Sequence, residues 1–181
     1  MTARIAPAAP PWSEAIAARL APLTPKGTEP LVLFRTLARD ERLFGRFMGG
    51  GLLDKGHLAL AEREIVIHRI CALNRAEYEW GVHAAIFAPR VGLTGERLAA
   101  TVHGDADSPC WTPKEALLIR FCDAVNTRAD IDDGLWAALG EHFSEMARLE
   151  LMLLTGFYRT VSLLVNGLRL PMEPGAVPFP A

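Results

Sequence analysis

The stretch Ala61–Phe87, AEREIVIHRICALNRAEYEWGVHAAIF, decides how this chain reads. Ile67, Ile70, Cys71 and Asn74 recur along one side of a helical pattern over Ala61–Asn74. A second pattern starts near Glu77 and runs to about Phe87, with Pro89 as its stop. The first helix places Glu64, His68 and Cys71 at i, i+4 and i+7, on one stripe, and the second separates Glu79 from His83 by four. A carboxylate beside an imidazole fixes its tautomer and raises its basicity, which suits proton transfer. The same spacing also describes ordinary helix-surface pairs worth about 0.2–0.5 kcal/mol. Cys71, between Ile70 and Ala72, reads equally as a small buried hydrophobe, and Tyr78 and Trp80 as packing groups or as pocket walls.

Outward from this core, every strong pattern is helical. Toward the N-terminus, residues 1–27 form a Pro/Ala-rich arm with a short helix at Ser13–Leu20, broken by Pro22, Pro25 and Gly27. Pro30 suits a first helical turn, and Leu33, Leu37, Phe44 and Phe47 fit one face of a single helix ended by Gly49-Gly50-Gly51. That glycine run lacks a following Lys and Ser/Thr, so it is a terminator and not a phosphate loop. Toward the C-terminus, Thr94 opens a short helix ending near Val102, and His103–Trp111 is a loop. Thr112-Pro113-Lys114-Glu115 is a capping-box start. Asp132 or Asp133 caps another short helix, and Ser144 opens the longest one, closing near Gly167 before Pro171. No segment alternates apolar and polar residues, so the fold class is all-α, with one domain over 28–171 and a tail over 172–181.

Composition narrows the function classes. Half of the 181 residues are hydrophobic and 22% are charged, which excludes global disorder. The formal charge of −2 and the lack of a long basic run exclude a nucleic-acid surface. The greasiest segment, Leu149–Leu170, carries Glu150, Arg159, Asn166 and Arg169, so it reads as a core helix and not a membrane span. Cys71, Cys110 and Cys122 are odd in number and unpaired in sequence, which points to a reducing cytoplasm. Glu64, Glu79 and His83 are ligand types for a divalent ion, yet no H-E-x-x-H pattern accompanies them, and no metal or cofactor is expected.

The stretch resembles the core motif of the carboxymuconolactone decarboxylase family, whose relatives include the alkylhydroperoxidase AhpD. Peroxidase members carry a Glu, twelve residues later the first Cys of C-x-x-C, and a His four beyond the second Cys. Counted back from His83, those positions hold Glu79, Ala76 and Glu64. Glu64 and His83 match, while both cysteines are replaced. Tyr78-Glu79-Trp80-x-x-His83 is similar instead to thiol-free members, and Ser144-Glu145, Leu149-Glu150-Leu151 and Gly156-Phe157-Tyr158-Arg159 resemble the same relatives' C-terminal helix.

The resemblance implies an AhpD-like helical domain in a homo-oligomer, a trimer or hexamer with a dimer as alternative, with the last helix in a subunit interface and the N-terminal arm free to wrap a neighbour. It implies cofactor-independent lyase or isomerase chemistry on a small carboxylated or lactone-like molecule. Glu64, His83 and Glu79 are then the catalytic candidates, and Tyr78, Trp80, His68 and Cys71 the substrate-binding ones. Arg69, Arg75 and Arg159 are candidates for a substrate carboxylate or for surface and inter-subunit charges. A dithiol peroxidase cycle is excluded by the missing cysteines, since attack and resolution each need a sulfur. Two alternatives stay open: hydroperoxide reduction by Cys71 alone, and a non-catalytic binding or assembly protein on the same scaffold.

Overall fold

The computed structural model describes residues 3–52 and 54–181. Among the described residues there is no strand, and the elements are α1 (Glu14–Leu20), α2 (Val32–Leu37), α3 (Glu41–Gly50), α4 (Leu60–Leu73), α5 (Glu77–Ile86), α6 (Gly95–His103), α7 (Pro113–Arg128), α8 (Asp133–Gly140) and α9 (Glu145–Gly167). Helix α4 is the axis, packed on by α5, α6, α7 and α9. Its residues Arg63–Cys71 are buried without interruption, so the one-sided pattern of the sequence becomes a helix covered all round.

Short-range chemistry places the ends. Thr112 Oγ1 accepts from the Glu115 amide while Glu115 reaches back to the Thr112 amide at 2.9 Å, the capping box read from sequence. Ser144 and Asp132 cap α9 and α8 by accepting from the Ala147 and Leu135 amides, without a reciprocal partner. The helix expected over Leu33–Phe47 is two helices. Asp40 turns extended and accepts from the Leu43 amide at 2.8 Å, which restarts the chain as α3. Between α4 and α5, Arg75 takes φ 55° and the Ala76 amide bonds the Cys71 carbonyl at 2.8 Å. This tight closure folds α5 directly back onto α4.

Both termini lie on their own chain. The arm expected to wrap a neighbour is tied by the Arg4 amide to the Leu168 carbonyl at 2.9 Å and by the Ala8 amide to the Arg35 carbonyl at 3.1 Å. Residues 172–181 cross α5, with the Val177 amide on the Gly81 carbonyl at 3.2 Å and the Phe179 ring edge-on to Trp80. A β-carbon at Gly81 would collide with the Val177 carbonyl, so only glycine admits this strap. No helix among the described residues is long and apolar enough to cross a membrane.

Candidate active site

The antiparallel return of α5 brings residues nineteen apart in sequence into contact. His83 Nδ1 lies 2.9 Å from Glu64 Oε2, with the acid 2% and the histidine 7% exposed. The other ring nitrogen, Nε2, lies 3.2 Å from the Tyr158 hydroxyl of α9 and 3.5 Å from Glu79 Oε1. One imidazole is thus held by three helices, with an ionisable or hydroxyl oxygen at each nitrogen.

Burial alone would lower the His83 pKa, but hydrogen bonds to Glu64 and then Glu79 outweigh it and raise the pKa to about 9. The ring is therefore an imidazolium at neutral pH. Burial, followed by the Glu79 carboxylate, drives the Tyr158 phenol well above its ordinary range, so it stays neutral and can donate. Phe87 stacks on His83 at 4.9 Å, tilted by 32°, and the Arg90 guanidinium covers Phe87.

The remaining candidates take other positions. His68 is fully buried, Nδ1 meets the Glu64 carbonyl at 2.7 Å, and Nε2 has no partner among the described residues. Burial, then the charge on His83, lowers its pKa to about 4, which leaves a neutral ring edge-on behind His83. Cys71 is wholly buried; burial, then Glu79, pushes its thiol well above the ordinary range. The Tyr78 hydroxyl accepts from the Leu33 amide at 3.1 Å and donates to Glu173, so it is spent on joining α2 and the C-terminal strap to α5. Trp80 is 1% exposed and gives its indole N–H to Thr101 at 3.0 Å.

Among the arginines, Arg69 grips Asp123 with two nitrogens and the Thr101 and Gly104 carbonyls with a third, a buried pin and not a surface charge. Arg75 and Arg159 are exposed. Arg63, not singled out by the sequence, is 9% exposed, and its one side-chain hydrogen bond among the described residues goes to the Asp54 carbonyl at 3.1 Å. Tyr158 is the functional candidate that sequence reasoning missed. Its one signal was a lone phenol on the stripe Leu151, Leu154, Thr155, Tyr158, Val161, Ser162, Val165 that α9 buries.

Two surface hollows, of about 510 and 590 Å³, are lined by residues of α1 and α3 and by Asn74 with residues of α9; neither reaches the imidazole. Among the described residues no three His, Cys, Asp or Glu side chains are grouped to hold a metal ion.

Residues 41–123 match the carboxymuconolactone decarboxylase family, a span that contains Glu64, Glu79 and His83 and excludes Tyr158. Among solved structures, the fold is similar to an uncharacterized peroxidase-related protein with an alkylhydroperoxidase AhpD core from Ralstonia eutropha JMP134, at TM-score 0.78 and 20% identity over 92% of each chain. It is similar to a peroxidase-related protein from Silicibacter sp. TM1040, at TM-score 0.79 and 16% identity over 94% of this chain and 92% of that one. It is also similar to a cysteine-to-alanine variant of the debrominase Bmp8 in complex with 2,3,4-tribromopyrrole, at TM-score 0.73 and 16% identity over 97% of this chain and 94% of that one. No curated protein matches the chain.

Proposed function

From a chain whose residues 41–123 belong to the carboxymuconolactone decarboxylase family and whose fold is AhpD-like, we propose that it is a cofactor-independent lyase or isomerase acting on a small carboxylated or lactone-like molecule. The observation that carries this reading is the His83 imidazole clamped between Glu64 and Tyr158 inside the helix bundle. Loss of CO2 from a lactone acid leaves an electron pair that must spread into an adjacent unsaturated carbonyl. A donor to that oxygen stabilises the charge, and an acid then protonates the carbon. The imidazolium of His83 supplies the proton, Glu64 and Glu79 hold it in the protonated form, and the neutral Tyr158 hydroxyl donates to the developing oxyanion. Arg63, a buried cation without a carboxylate partner among the described residues, suits the substrate carboxylate better than Arg69, whose guanidinium is already taken up by Asp123. Reduction of a hydroperoxide by Cys71 is disfavoured, because burial and the nearby Glu79 carboxylate keep the sulfur a thiol.

A second reading, a binding or assembly protein without chemistry, draws on the 2% and 7% exposure of Glu64 and His83 and their mutual hydrogen bond. Turnover separates the two. With carboxymuconolactone as the first of a panel of carboxylated lactones, His83→Ala and Glu64→Gln are expected to lower turnover by about 10²–10⁴-fold with an unchanged helical spectrum. Tyr158→Phe is expected to cost about 10²-fold, and Cys71→Ser nothing. Turnover at the parent rate in His83→Ala removes the mechanism; loss of turnover in Cys71→Ser restores the thiol alternative.

A further inference from the structure

Helices α1 and α3 meet on a small apolar cluster of their own, in which Ile16 and Leu20 pack on the wholly buried Phe44. That packing holds the two helices together and with them the side chains that stand between them. There the hollow of about 510 Å³ is lined by Arg19, Glu41, Arg42, Gly45 and Arg46. Arg42 and Arg46 are exposed at i, i+4 on α3, and neither joins an ion pair among the described residues. Like charges at that spacing work against the helix that carries them. Arg19 comes across from α1 and lies over Gly45, where a β-carbon would stand 3.2 Å from its Nη2. Glu41 is the one carboxylate of the lining. Its Oε1 lies 4.0 Å from Arg19 Nη1, and its Oε2 accepts from the Ser13 hydroxyl at 3.2 Å. The hollow therefore keeps a surplus of positive charge. Residues 1–50 share the bias, with seven basic and four acidic side chains, whereas the rest of the chain has twelve and seventeen.

We propose that this hollow binds the phosphate group of a small organic phosphate, at a site separate from the Glu64–His83 cluster. Charge sets the class of ligand. Three guanidinium groups against one carboxylate match a dianion, and a phosphate monoester gathers both of its charges on one centre. Geometry agrees, since a guanidinium is a planar fork that donates to two phosphate oxygens at once. The absence of lysine from the lining favours such fork-shaped recognition over a point charge. Size sets the rest of the molecule. The hollow falls within the range of small-molecule sites, about 300–1,000 Å³, and so leaves room for an organic body beside the phosphate. An aromatic or other planar body can stack on a guanidinium face. A duplex needs a stripe of cations along successive phosphates, which three arginines in one hollow do not form. Gly45 is the seat of the site, because only a residue without a side chain lets Arg19 lie against α3.

Because neither hollow reaches the imidazole, the test needs no turnover and leaves the proposed chemistry untouched. Phenyl phosphate, inorganic phosphate and succinate are titrated into the full chain by calorimetry at low ionic strength, where exposed charges are least screened. Phenyl phosphate is expected to bind saturably, one per chain, and more tightly than either of the others. Arg42→Gln and Arg46→Gln are each expected to weaken it by about tenfold or more with an unchanged helical spectrum. Gly45→Leu, which fills the seat of Arg19, is expected to do the same. Arg128→Gln removes an equal charge from an exposed position on α7 and is expected to leave the affinity as it was. No saturable binding of phenyl phosphate, affinity unmoved in Arg42→Gln and Arg46→Gln, or an equal loss in Arg128→Gln would each overturn the site. Succinate bound as tightly as phenyl phosphate would overturn the choice of phosphate.

Discussion

Helices α4 and α9 break the usual rule in opposite directions. Between Arg63 and Cys71, α4 buries two arginines, a glutamate and a histidine. α9, with a smaller share of charged residues, leaves five large apolar side chains in solvent. The difference is one of place. α4 stands in the middle of the bundle, so each of its faces meets another helix and its charges have to be paired: Arg69 by Asp123, and Glu64 by His83. α9 stands at the outside, so only the stripe through Leu151, Leu154, Tyr158 and Val165 is covered. Hydrophobicity along a helix thus states how much surface it can bury, while its neighbours decide which residues are buried.

Single substitutions can break this contrast. The largest effect belongs to α4: Glu64→Leu strands a buried imidazolium and is expected to cost about 3–5 kcal/mol in urea unfolding. On α9 the two faces separate. Leu151→Ala, fully buried, is expected to cost about 2–5 kcal/mol. Leu163→Ala, 72% exposed, is expected to move the unfolding free energy by less than about 0.5 kcal/mol. Equal costs on the two faces would mean that α9 is covered within one chain.

The α4–α5 cluster also predicts a pH response. The His83 pKa is raised from 6.5 to about 9, so its protonated form favours the folded state. That stabilisation is complete below pH 6.5 and is lost as pH rises through about 9. The gap in melting temperature between the parent and His83→Gln is therefore expected to narrow from pH 6.5 to 9. His68, lowered to about 4, works in the opposite sense, costing stability as pH falls from 6.5 toward 4. The smallest effect is expected in the turn joining the two helices. Arg75→Gly relieves a left-handed residue and should leave stability unchanged or raise it by up to about 1 kcal/mol.

Much of this was legible in the chain. The capping signals at Thr112, Asp132 and Ser144 act over three or four residues, so their reading needs no knowledge of the fold. Asp40 carries the same kind of signal, but the spacing of Leu33, Leu37, Phe44 and Phe47 continued across it and concealed the break. Glu64 and His83 stood out through a family motif, since no local rule connects residues nineteen apart. Tyr78 and Trp80 show the opposite limit. Their residue types suit a pocket, yet their polar atoms are bound by Leu33, Glu173 and Thr101, partners from elements well away in sequence.

Local order, then, was written into the chain: an all-helical fold, the places where most helices begin and end, and the residue types that can pass a proton. Periodicity and capping depend on neighbours within a few positions, and such neighbours are known without coordinates. Packing decided the rest. It set α4 at the centre and α9 at the rim, turned Arg69 into a pin on Asp123, and brought Tyr158 to His83 from 75 residues away. Contacts of that kind depend on which helical faces meet, and only the assembled bundle determines that.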